Sequence, residues 1–288
     1  MARVLSIQSH VVHGHVGNCS ATFPLQLLGC DVAAINTVHL SNHTKYSKGI
    51  KGQILSGDDL TTVVDGLEAN GILPEFTHVI TGYIGSETAL RSVMGIVARL
   101  RKANPDVVYV CDPVLGDNGH LYVPETLVQI MRDEIVPTAD VLTPNTFEAE
   151  LLTGRKLDSE AEVLGGIADL HAKGVGTVLL TSAEYLKPES LVMYCSRPST
   201  ETRFRIKFPC LEGTYTGTGD LVCALWVAWS TKFPDRLEEA AERIIGTMSA
   251  VLARTSAAAP IGGQRELKLV QSKADIENPT VVYRAEMF

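Results

Sequence analysis

The stretch from His78 to Asp112, HVITGYIGSETALRSVMGIVARLRKANPDVVYVCD, decides the fold class of this sequence. Two short apolar runs, His78 to Thr81 and Val107 to Cys111, flank a segment with helical periodicity from Glu87 to Ala103. A buried strand, a helix and a second buried strand form a βαβ unit, in which the two strands are parallel. The stretch therefore predicts an α/β protein built on a mostly parallel sheet.

The same alternation of strand and helix extends along most of the chain. Continuous apolar runs predict further buried strands at Val4 to Ile7, Asp31 to Val38, Val141 to Thr143 and Thr177 to Thr181. Helices are predicted at Asn18 to Leu28, Asp58 to Ala69, Glu125 to Ile135, Phe147 to Leu152, Glu160 to Ala172, Asp220 to Ser230 and Asp235 to Ala258.

The segment after Thr181 changes this pattern, because Leu191 to Cys195 and Thr202 to Phe208 alternate and predict an antiparallel hairpin beside the parallel strands. The sequence contains no internal repeat and no linker-like tract. We therefore expect residues 1–288 to form one domain, with helices on both faces of the sheet.

Composition excludes several classes of protein. The apolar share of 45% and the charged share of 20% are typical of a folded globular chain. With 25 Lys and Arg against 33 Asp and Glu, the net charge is −8, which argues against nucleic acid as a partner. The apolar run Leu221 to Trp229 is far shorter than the ~20 residues that a membrane span needs, and no membrane partner is expected. The first residues lack the pattern of a signal peptide, so we expect a cytoplasmic protein.

The six cysteines are scattered and form no CxxC pair, so the expected state is reduced and mostly buried thiols.

Polar residues follow the predicted strands at the ends where ligands bind in open α/β sheets. Because the carboxyl ends of parallel strands share one edge, these side chains are expected to lie close together. Residues of these types also cap the helices that follow, and that interpretation stays open for each of them. The segments are Gln8-Ser9-His10, Ser41-Asn42-His43-Thr44, Thr81-Gly82-Tyr83, Cys111-Asp112-Pro113 and Thr143-Pro144-Asn145.

The segment Gly217-Thr218-Gly219-Asp220 precedes an apolar helix. Two glycines let backbone N–H groups converge at a helix start, where the helix dipole also favours an anion. Asp220 would repel a resting phosphate, but it is well placed to accept the proton of a hydroxyl that attacks a bound phosphorus atom. The segment predicts a phosphate-binding loop with a base, and simple N-capping by Asp220 is the alternative.

If this site transfers phosphoryl groups, a metal ion must neutralise their negative charge, because the fingerprint motifs of P-loop enzymes and protein kinases, which contain the usual lysines, are missing. Asn145 and Glu148 are three residues apart, so they share one helix face and offer oxygen ligands to magnesium. A helix cap with an acidic first turn explains this pair equally well. Asp112 and Asp117 add carboxylates at the same sheet edge.

Two further groups of residues have weaker functional interpretations. His10, His13 and His15 lie in a glycine-containing segment without acidic or cysteine partners, which disfavours a metal site. Lys45, Lys48 and Lys51 lie in an irregular segment, where a solvated basic loop is the default and a lid over an anionic cofactor is the functional alternative.

Taken together, these motifs closely resemble the pyridoxal kinases of the ribokinase-like superfamily, nearly from end to end. The segments Ser6 to Val11, Ser41 to Thr44 and Thr81 to Tyr83 carry the vitamin B6 resemblance, while Gly217 to Asp220 and Asn145 to Glu148 are typical of the superfamily. The tail from Glu266 to Glu277 is similar to the eukaryotic type. The resemblance implies a three-layer sandwich and a homodimer that transfers the γ-phosphoryl group of ATP to the 5′-hydroxyl of pyridoxal.

The resemblance also implies residue roles. Asp220 would be the base, and Gly217, Thr218 and Gly219 the anion hole. The substrate site would comprise Ser9, Val16, His43, Thr44, Tyr83 and Asp220. Asp112, Thr143 and Glu148 would serve Mg²⁺, or another divalent cation, and K⁺, or another monovalent cation. The ATP site would include these three residues together with Asp117, Tyr122, Asn145, Thr181, Ser182 and Thr218.

The residues leave three functions to consider. The leading hypothesis is an ATP-dependent kinase of pyridoxal and related B6 vitamers. A kinase of another small hydroxymethyl compound, such as a hydroxymethylpyrimidine or a sugar, is the alternative on the same fold. A binding protein without chemistry is disfavoured, because a carboxylate beside bound phosphate would only weaken binding.

Overall fold

A ten-stranded sheet runs through the computed structural model, which describes residues 1–288. Its strands are β1 (Arg3–His13), β2 (Asp31–Asn42), β3 (Gly52–Ile54), β4 (His78–Thr81), β5 (Val108–Cys111), β8 (Val141–Leu142), β9 (Thr177–Ala183), β10 (Ser190–Arg197), β11 (Thr202–Pro209) and β12 (Glu286–Met287). A separate small hairpin consists of β6 (Gly116–Asp117) and β7 (His120–Leu121).

The strand order across the sheet is β12-β11-β10-β9-β8-β5-β4-β1-β2-β3. The strands from β9 to β2 in this order all pair in parallel. Antiparallel strands flank them, with β10, β11 and β12 at one edge and β3 at the other. The prediction of a mostly parallel sheet with an added antiparallel hairpin is confirmed.

Helices cover both faces of the sheet. They are α1 (Asn18–Leu27), α2 (Gly57–Ala69), α3 (Glu87–Ala103), α4 (Glu125–Ile130), α5 (Thr146–Thr153), α6 (Glu160–Ala172), α7 (Thr218–Lys232), α8 (Leu237–Ser256) and α9 (Lys273–Glu277). Helices α2 to α6 pack on one face, and α1, α7, α8 and α9 on the other. No helix is both long and apolar enough to cross a membrane.

The parallel strands divide their side chains between two hydrophobic cores. On β1, Leu5 and Ile7 contribute to the core under α2 to α6, whereas Val4 contributes to the core under α7 and α8. Val79 and Ile80 of β4 divide in the same way. Both faces of the strands are therefore buried, which is why their sequences are continuously apolar rather than alternating.

Several element boundaries differ from the sequence prediction. β1 and β2 continue to His13 and Asn42, well past the predicted ends at Ile7 and Val38. The reason is that backbone pairing of the two strands persists through their polar residues, after a register shift between Gln8 and His10. The extensions bring further side chains to the edge of the sheet at which the parallel strands end.

The helix predicted from Glu125 to Ile135 is wrong in its second half. The α-helix ends at Ile130, and a π-helical turn covers Met131–Ile135 before a 3₁₀ turn at Val136–Thr138. Pro137 cannot donate a backbone hydrogen bond, which favours termination of the regular helix just before it. Helix α7 begins at Thr218, two residues before the predicted start, so that Asp220 lies within its first turn.

Candidate active site

A cavity of about 430 Å³ opens where the parallel strands end, at the edge on which ligands bind in such sheets. The structure brings every site residue predicted from the sequence to the wall of this one cavity. These residues are Ser9, Val16, His43, Thr44, Tyr83, Asp112, Asp117, Tyr122, Thr143, Asn145, Glu148, Thr181, Ser182, Gly217, Thr218, Gly219 and Asp220.

The amino terminus of α7 points into the cavity. Its N-cap residue, Gly217, has no side chain to cap the helix, so the N–H groups of the first turn, from Thr218 to Asp220, stay available. The first backbone bond of the helix runs from the Leu221 N–H to the Gly217 carbonyl. Free donors and the positive end of the helix dipole together favour a bound anion.

Gly217 is required by both conformation and space. Its φ of +84° lies in the left-handed region, and a Cβ at this position would come within 1.9 Å of the His15 carbonyl oxygen. The Ser20 hydroxyl of α1 donates a hydrogen bond of 3.0 Å to the Gly217 carbonyl. The start of α7 is thus fixed against both α1 and the segment that follows β1.

Asp220 lies in the first turn of α7, at the wall of the cavity. It forms no salt bridge, and its side chain caps nothing in its own helix. Burial raises the pKa of Asp220 to about 6, although the backbone N–H of Gly17 acts in the opposite direction. The capping interpretation of Asp220 is therefore wrong, and the carboxylate is free to act as a base near neutral pH.

Asp112 and Thr143 follow neighbouring strands, β5 and β8, and both side chains are buried. Two of their oxygen atoms, Asp112 Oδ2 and Thr143 Oγ1, have no hydrogen-bond partner. Burial, with Glu148 and Asp220 nearby, raises the pKa of Asp112 well above its usual range. Unpaired buried oxygens beside other carboxylates are typical ligands of a hard cation.

Asn145 and Glu148 form a capping box at the start of α5. Asn145 Oδ1 accepts the Glu148 N–H at 2.9 Å, and Glu148 Oε2 accepts the Asn145 N–H at 3.0 Å. Glu148 Oε1 also accepts the Leu115 N–H at 3.0 Å. The capping interpretation of this pair is confirmed, and it fixes a buried carboxylate at the cavity wall. Burial raises the pKa of Glu148, against the effect of the backbone N–H groups.

One end of the cavity is lined by Ser9 on β1, Val16 after β1, and His43 and Thr44 after β2. Tyr83, which follows β4, lies in the same wall, and its backbone carbonyl accepts a 3.0 Å hydrogen bond from Thr37 Oγ1. This end combines an aromatic ring and apolar surface with hydroxyl groups. It suits a small aromatic ring with a polar edge.

The opposite side of the cavity is formed by Asp117 on β6, Tyr122 after β7, and Thr181 and Ser182 on β9. The Thr146 hydroxyl of α5 donates to the Ser182 carbonyl at 2.6 Å, which fixes the end of β9. Lys45 Nζ lies 5.4 Å from the centre of the Tyr122 ring. The segment after β2 therefore reaches across to the β6–β7 hairpin.

The cavity wall includes residues that the sequence analysis did not assign. Val38 is the last residue of the predicted strand, Leu40 lies in the unpredicted extension of β2, and Gly116 belongs to the β6–β7 hairpin, which no periodicity indicated. Lys45, which the sequence offered as a lid residue, is the only lysine or arginine in the wall. The remaining unassigned residues are Val11, Val114, Leu121, Tyr215 and Thr216.

The three histidines near the end of β1 do not line the cavity. His10 stacks on His39 with ring centres 5.3 Å apart, and its Nδ1 lies 3.2 Å from Cys19 Sγ. His13 packs edge-on against Tyr46, and the His15 N–H donates to Glu266 Oε2. His13 and His15 thus contact the same cluster of Tyr46 and Glu266, whereas His10 contacts His39 and Cys19.

Comparisons with known proteins agree with this geometry. The family model for phosphomethylpyrimidine kinase matches residues 74–254. A pyridoxal kinase of Arabidopsis thaliana is 46% identical over 99% of this chain and 94% of its own length. The human pyridoxal kinase is 42% identical over 98% of this chain and 97% of its own length.

The similar solved structures are also pyridoxal kinases. The pyridoxal kinase of Leishmania donovani in complex with ADP and pyridoxamine superposes with a TM-score of 0.91 at 37% identity, covering 99% of each chain. Its complex with ADP and pyridoxine gives a TM-score of 0.92 over the same share of both chains. The ribokinase-like fold expected from the sequence is confirmed, and the chain belongs to the pyridoxal kinase family.

Proposed function

We propose that this protein is an ATP-dependent pyridoxal kinase, which transfers the γ-phosphoryl group of ATP to the 5′-hydroxymethyl group of pyridoxal, pyridoxine and pyridoxamine. One observation carries the proposal. The carboxylate of Asp220 and the free N–H groups of the first turn of α7 line the same cavity. This arrangement places a base beside an anion site, which is what transfer of a phosphoryl group to a hydroxyl requires.

Asp220 is the proposed base. A hydroxyl group held at the cavity wall would give its proton to this carboxylate as its oxygen attacks the γ-phosphorus. With a pKa raised to about 6, the carboxylate is ionised at neutral pH and is a stronger base than an ordinary aspartate. The backbone N–H groups of Gly217, Thr218 and Gly219 are the proposed anion hole, which stabilises the charge on the transferring group.

Asp112, Thr143 and Glu148 are the proposed cation-binding residues. The fit rests on the unpaired buried oxygens Asp112 Oδ2 and Thr143 Oγ1, since a hard cation would supply the missing partners. Glu148 already accepts backbone N–H groups with both oxygens, so it suits contact with Mg²⁺ through water. When bound, Mg²⁺ and K⁺ would neutralise phosphate charge that the acidic wall does not.

The end of the cavity with the aromatic ring is the proposed vitamin site. Ser9 and Thr44 would hydrogen-bond the polar edge of the pyridine ring, and Tyr83 would contact its face. Val16 and His43 complete the surface around the ring. The relatives from Leishmania donovani were solved with ADP and with pyridoxamine or pyridoxine, which supports B6 vitamers and a nucleotide as the ligands here.

The opposite side is the proposed nucleotide site. Asp117, Thr181 and Ser182 would contact ATP together with Asn145 and Thr218. Tyr122 and Lys45 come from two different segments that meet over the cavity, which supports a lid over the phosphates. Of the two interpretations of the lysine-containing segment, the lid is the one proposed for Lys45.

The direct test is to mix the purified protein with ATP, Mg²⁺ and pyridoxal and to follow the absorbance of pyridoxal phosphate. We expect Asp220→Asn to lower kcat by about 100-fold or more, as loss of a general base does, while ATP binding measured by calorimetry is retained. Asp235→Asn is the matched control, because Asp235 is exposed at the turn before α8. Near-normal turnover of Asp220→Asn would exclude Asp220 as the base, and no product with the unmodified protein would exclude the proposed reaction.

The cations are tested in the same assay. A chelator should abolish turnover, and added Mg²⁺ should restore it. Exchange of K⁺ for a bulky organic cation should lower the rate of the unmodified protein, and Asp112→Asn should remove that dependence. A rate that is insensitive to both ions would contradict the assignment of Asp112 and Thr143.

A hydroxymethylpyrimidine kinase is the second candidate, because the family model that matches residues 74–254 is described as phosphomethylpyrimidine kinase. The two functions differ in the ring they accept. Steady-state kcat/KM for the three B6 vitamers and for hydroxymethylpyrimidine, measured side by side, distinguishes them. The proposal requires a higher value for a B6 vitamer.

The domain organisation, the oligomeric state and the cellular location of this protein are also proposed. One sheet with a core on each face supports a single kinase domain over residues 1–288. The edge strand β3 and the end of β1 expose the apolar side chains Ile54 and Val12, which supports a homodimer. Light scattering after size-exclusion chromatography tests the homodimer. A cytoplasmic location stays a prediction, which imaging of a fluorescent fusion would test.

A further inference from the structure

The carboxylate of Glu266 is buried behind the cavity wall and is not part of the proposed reaction. Glu266 lies in the tail that follows α8, and only 8% of this residue is exposed. Oε1 accepts hydrogen bonds from the Tyr46 hydroxyl at 2.7 Å and from His43 Nε2 at 2.8 Å. Oε2 accepts the His15 N–H at 3.1 Å. One carboxylate thus joins the segment after β1 to the segment after β2.

The roles of the His43 ring nitrogens follow from its other contact. The backbone N–H of Lys45 donates to His43 Nδ1 at 3.3 Å, so Nδ1 is an acceptor and Nε2 carries the proton directed at Glu266. The ring is therefore held from both sides. Because His43 lines the cavity, this fixes one part of the proposed vitamin site.

Two glycines allow the chain to pack closely against Glu266 and Tyr46. A Cβ on Gly14 would come within 2.8 Å of Glu266 Oε2, and a Cβ on Gly262 would come within 2.9 Å of the Tyr46 ring. Gln264 Nε2 donates to the Lys45 carbonyl at 3.0 Å. The tail therefore holds the segment after β2 at several points.

The Glu266 carboxylate is ionised in its hydrogen bonds with His43 and Tyr46. Burial acts to raise the pKa of Glu266, but the hydrogen bonds from His43 and Tyr46 outweigh it and lower that pKa to about 2. Burial and the same hydrogen bond raise the pKa of Tyr46 to about 12. The carboxylate thus remains ionised, and the tyrosine remains a donor, throughout the range in which the protein would work.

We propose that Glu266 is a positioning residue, which holds His43 at the cavity wall and anchors the loop of residues 43–51 that carries Thr44 and Lys45. Glu266 does not touch substrate, and it acts through the residues that line the cavity. The tail of the chain would in this way set the shape of the vitamin site. The kinetic part of this proposal rests on the proposed function, whereas the anchoring of the loop does not.

Limited trypsin digestion tests the anchoring independently of activity, because the loop contains the exposed residues Lys45, Lys48 and Lys51. In Glu266→Gln the amide keeps the size but loses the charge, and its NH2 group replaces one of the two carboxylate oxygens, so that at one position an N–H donor faces a donor. We expect cleavage after these lysines to become about 10-fold faster, as loss of a charge-assisted hydrogen bond allows, with cleavage elsewhere unchanged. Glu277→Gln, in the same tail and without an ion pair, is the control and should cleave like the unmodified protein.

Kinetics provide the second measurement. Glu266→Gln should raise the KM for pyridoxal by about 10-fold, the effect of one lost charge-assisted contact, while the KM for ATP changes by less than about 2-fold. Tyr46→Phe should show the same split in weaker form. The double variant should be no worse than Glu266→Gln alone, because both residues act through one contact.

The outcomes separate the hypotheses. Loop cleavage and KM values like those of the unmodified protein would overturn the positioning role. Faster cleavage throughout the chain would also overturn it, since that result indicates a general loss of stability. If Glu266→Gln does not fold, Tyr46→Phe replaces it in both measurements. If the unmodified protein does not phosphorylate pyridoxal, the proposed function fails, and the digestion still decides whether Glu266 anchors the loop.

Discussion

Asp112 Oδ2 lies only 3.3 Å from the point at which a Cβ would project from Gly219. The two residues belong to different layers of the fold, since Asp112 follows β5 in the sheet and Gly219 lies in the first turn of α7. The absence of a side chain at Gly219 leaves the gap between the carboxylate and the helix start open. A phosphoryl group and its cations would require this gap.

Gly219→Ala should therefore impair function without harming the fold. Gly219 has no positive φ, and the better helix propensity of alanine, about 1 kcal/mol, offsets the small shift that a Cβ 3.3 Å from Asp112 Oδ2 requires, so the free energy of unfolding should change by less than about 1 kcal/mol. The new methyl group would occupy the proposed anion hole, and kcat should fall by about 100-fold, the usual cost of removing such stabilisation. Gly95→Ala on α3, where a Cβ meets nothing within 4 Å, is the control and should retain kcat. Equal kcat values for the two variants would contradict the role of Gly219.

Gly217→Ala should instead destabilise the protein. Its left-handed φ costs a non-glycine residue about 1 to 2 kcal/mol, and its Cβ would also collide with the His15 carbonyl oxygen. Gly71→Ala separates the two effects, because Gly71 has a φ of +68° but open space around it. In urea denaturation, Gly217→Ala should lose clearly more unfolding free energy than Gly71→Ala. Equal losses would mean that the close approach to His15 is relieved at no cost.

Lys45→Ala should weaken ATP binding. Lys45 is the only lysine or arginine in the cavity wall, which also carries Asp112, Asp117, Glu148 and Asp220. Loss of a charge-assisted contact to phosphate should raise the KM for ATP by about 10-fold, and the difference should shrink at high salt. Lys48→Ala in the same loop, outside the cavity wall, is the matched control. If the KM for ATP rises equally in both variants, the effect comes from the overall positive charge of the loop and not from the position of Lys45.

His78 should make the fold sensitive to acid. Burial lowers the pKa of His78 from its ordinary value of 6.5 to about 4 in the folded state. Between these two values the unfolded chain takes up a proton that the folded protein does not, so the unfolding free energy falls as the pH is lowered. Over this interval the protein should lose roughly 2 to 3 kcal/mol relative to His78→Gln.

Urea denaturation at several pH values between 7 and 4 provides this measurement. The exposed His120, replaced by Gln, serves as the control and should follow the unmodified protein. Unfolding free energies of His78→Gln and of the unmodified protein that stay parallel with pH would contradict the prediction.

The sequence was sufficient for the elements whose pattern reflects local burial. The bounds of β4, α3 and α6 agree with the prediction because apolar periodicity and flanking cap residues act within one element. Pairing of β1 with β2 beyond Gln8 could not be read in the same way, since backbone hydrogen bonds hold polar and apolar residues alike. The π-helical turn at Met131–Ile135 is also invisible to a pattern with a period of 3.6 residues.

The sequence by itself determined most of the buried strands and helices, the glycine-rich segment before Asp220 and the set of polar residues at the strand ends, because each of these depends on neighbours within a few residues. Only the tertiary structure decided that the Glu148 carboxylate takes part in a capping box while the Asp220 carboxylate does not cap its helix, since both carboxylates lie in the first turn of a helix. It alone joined His43 to Glu266, which is 223 residues away along the chain. Such a contact depends on how the whole chain packs, and no local pattern of residues records it.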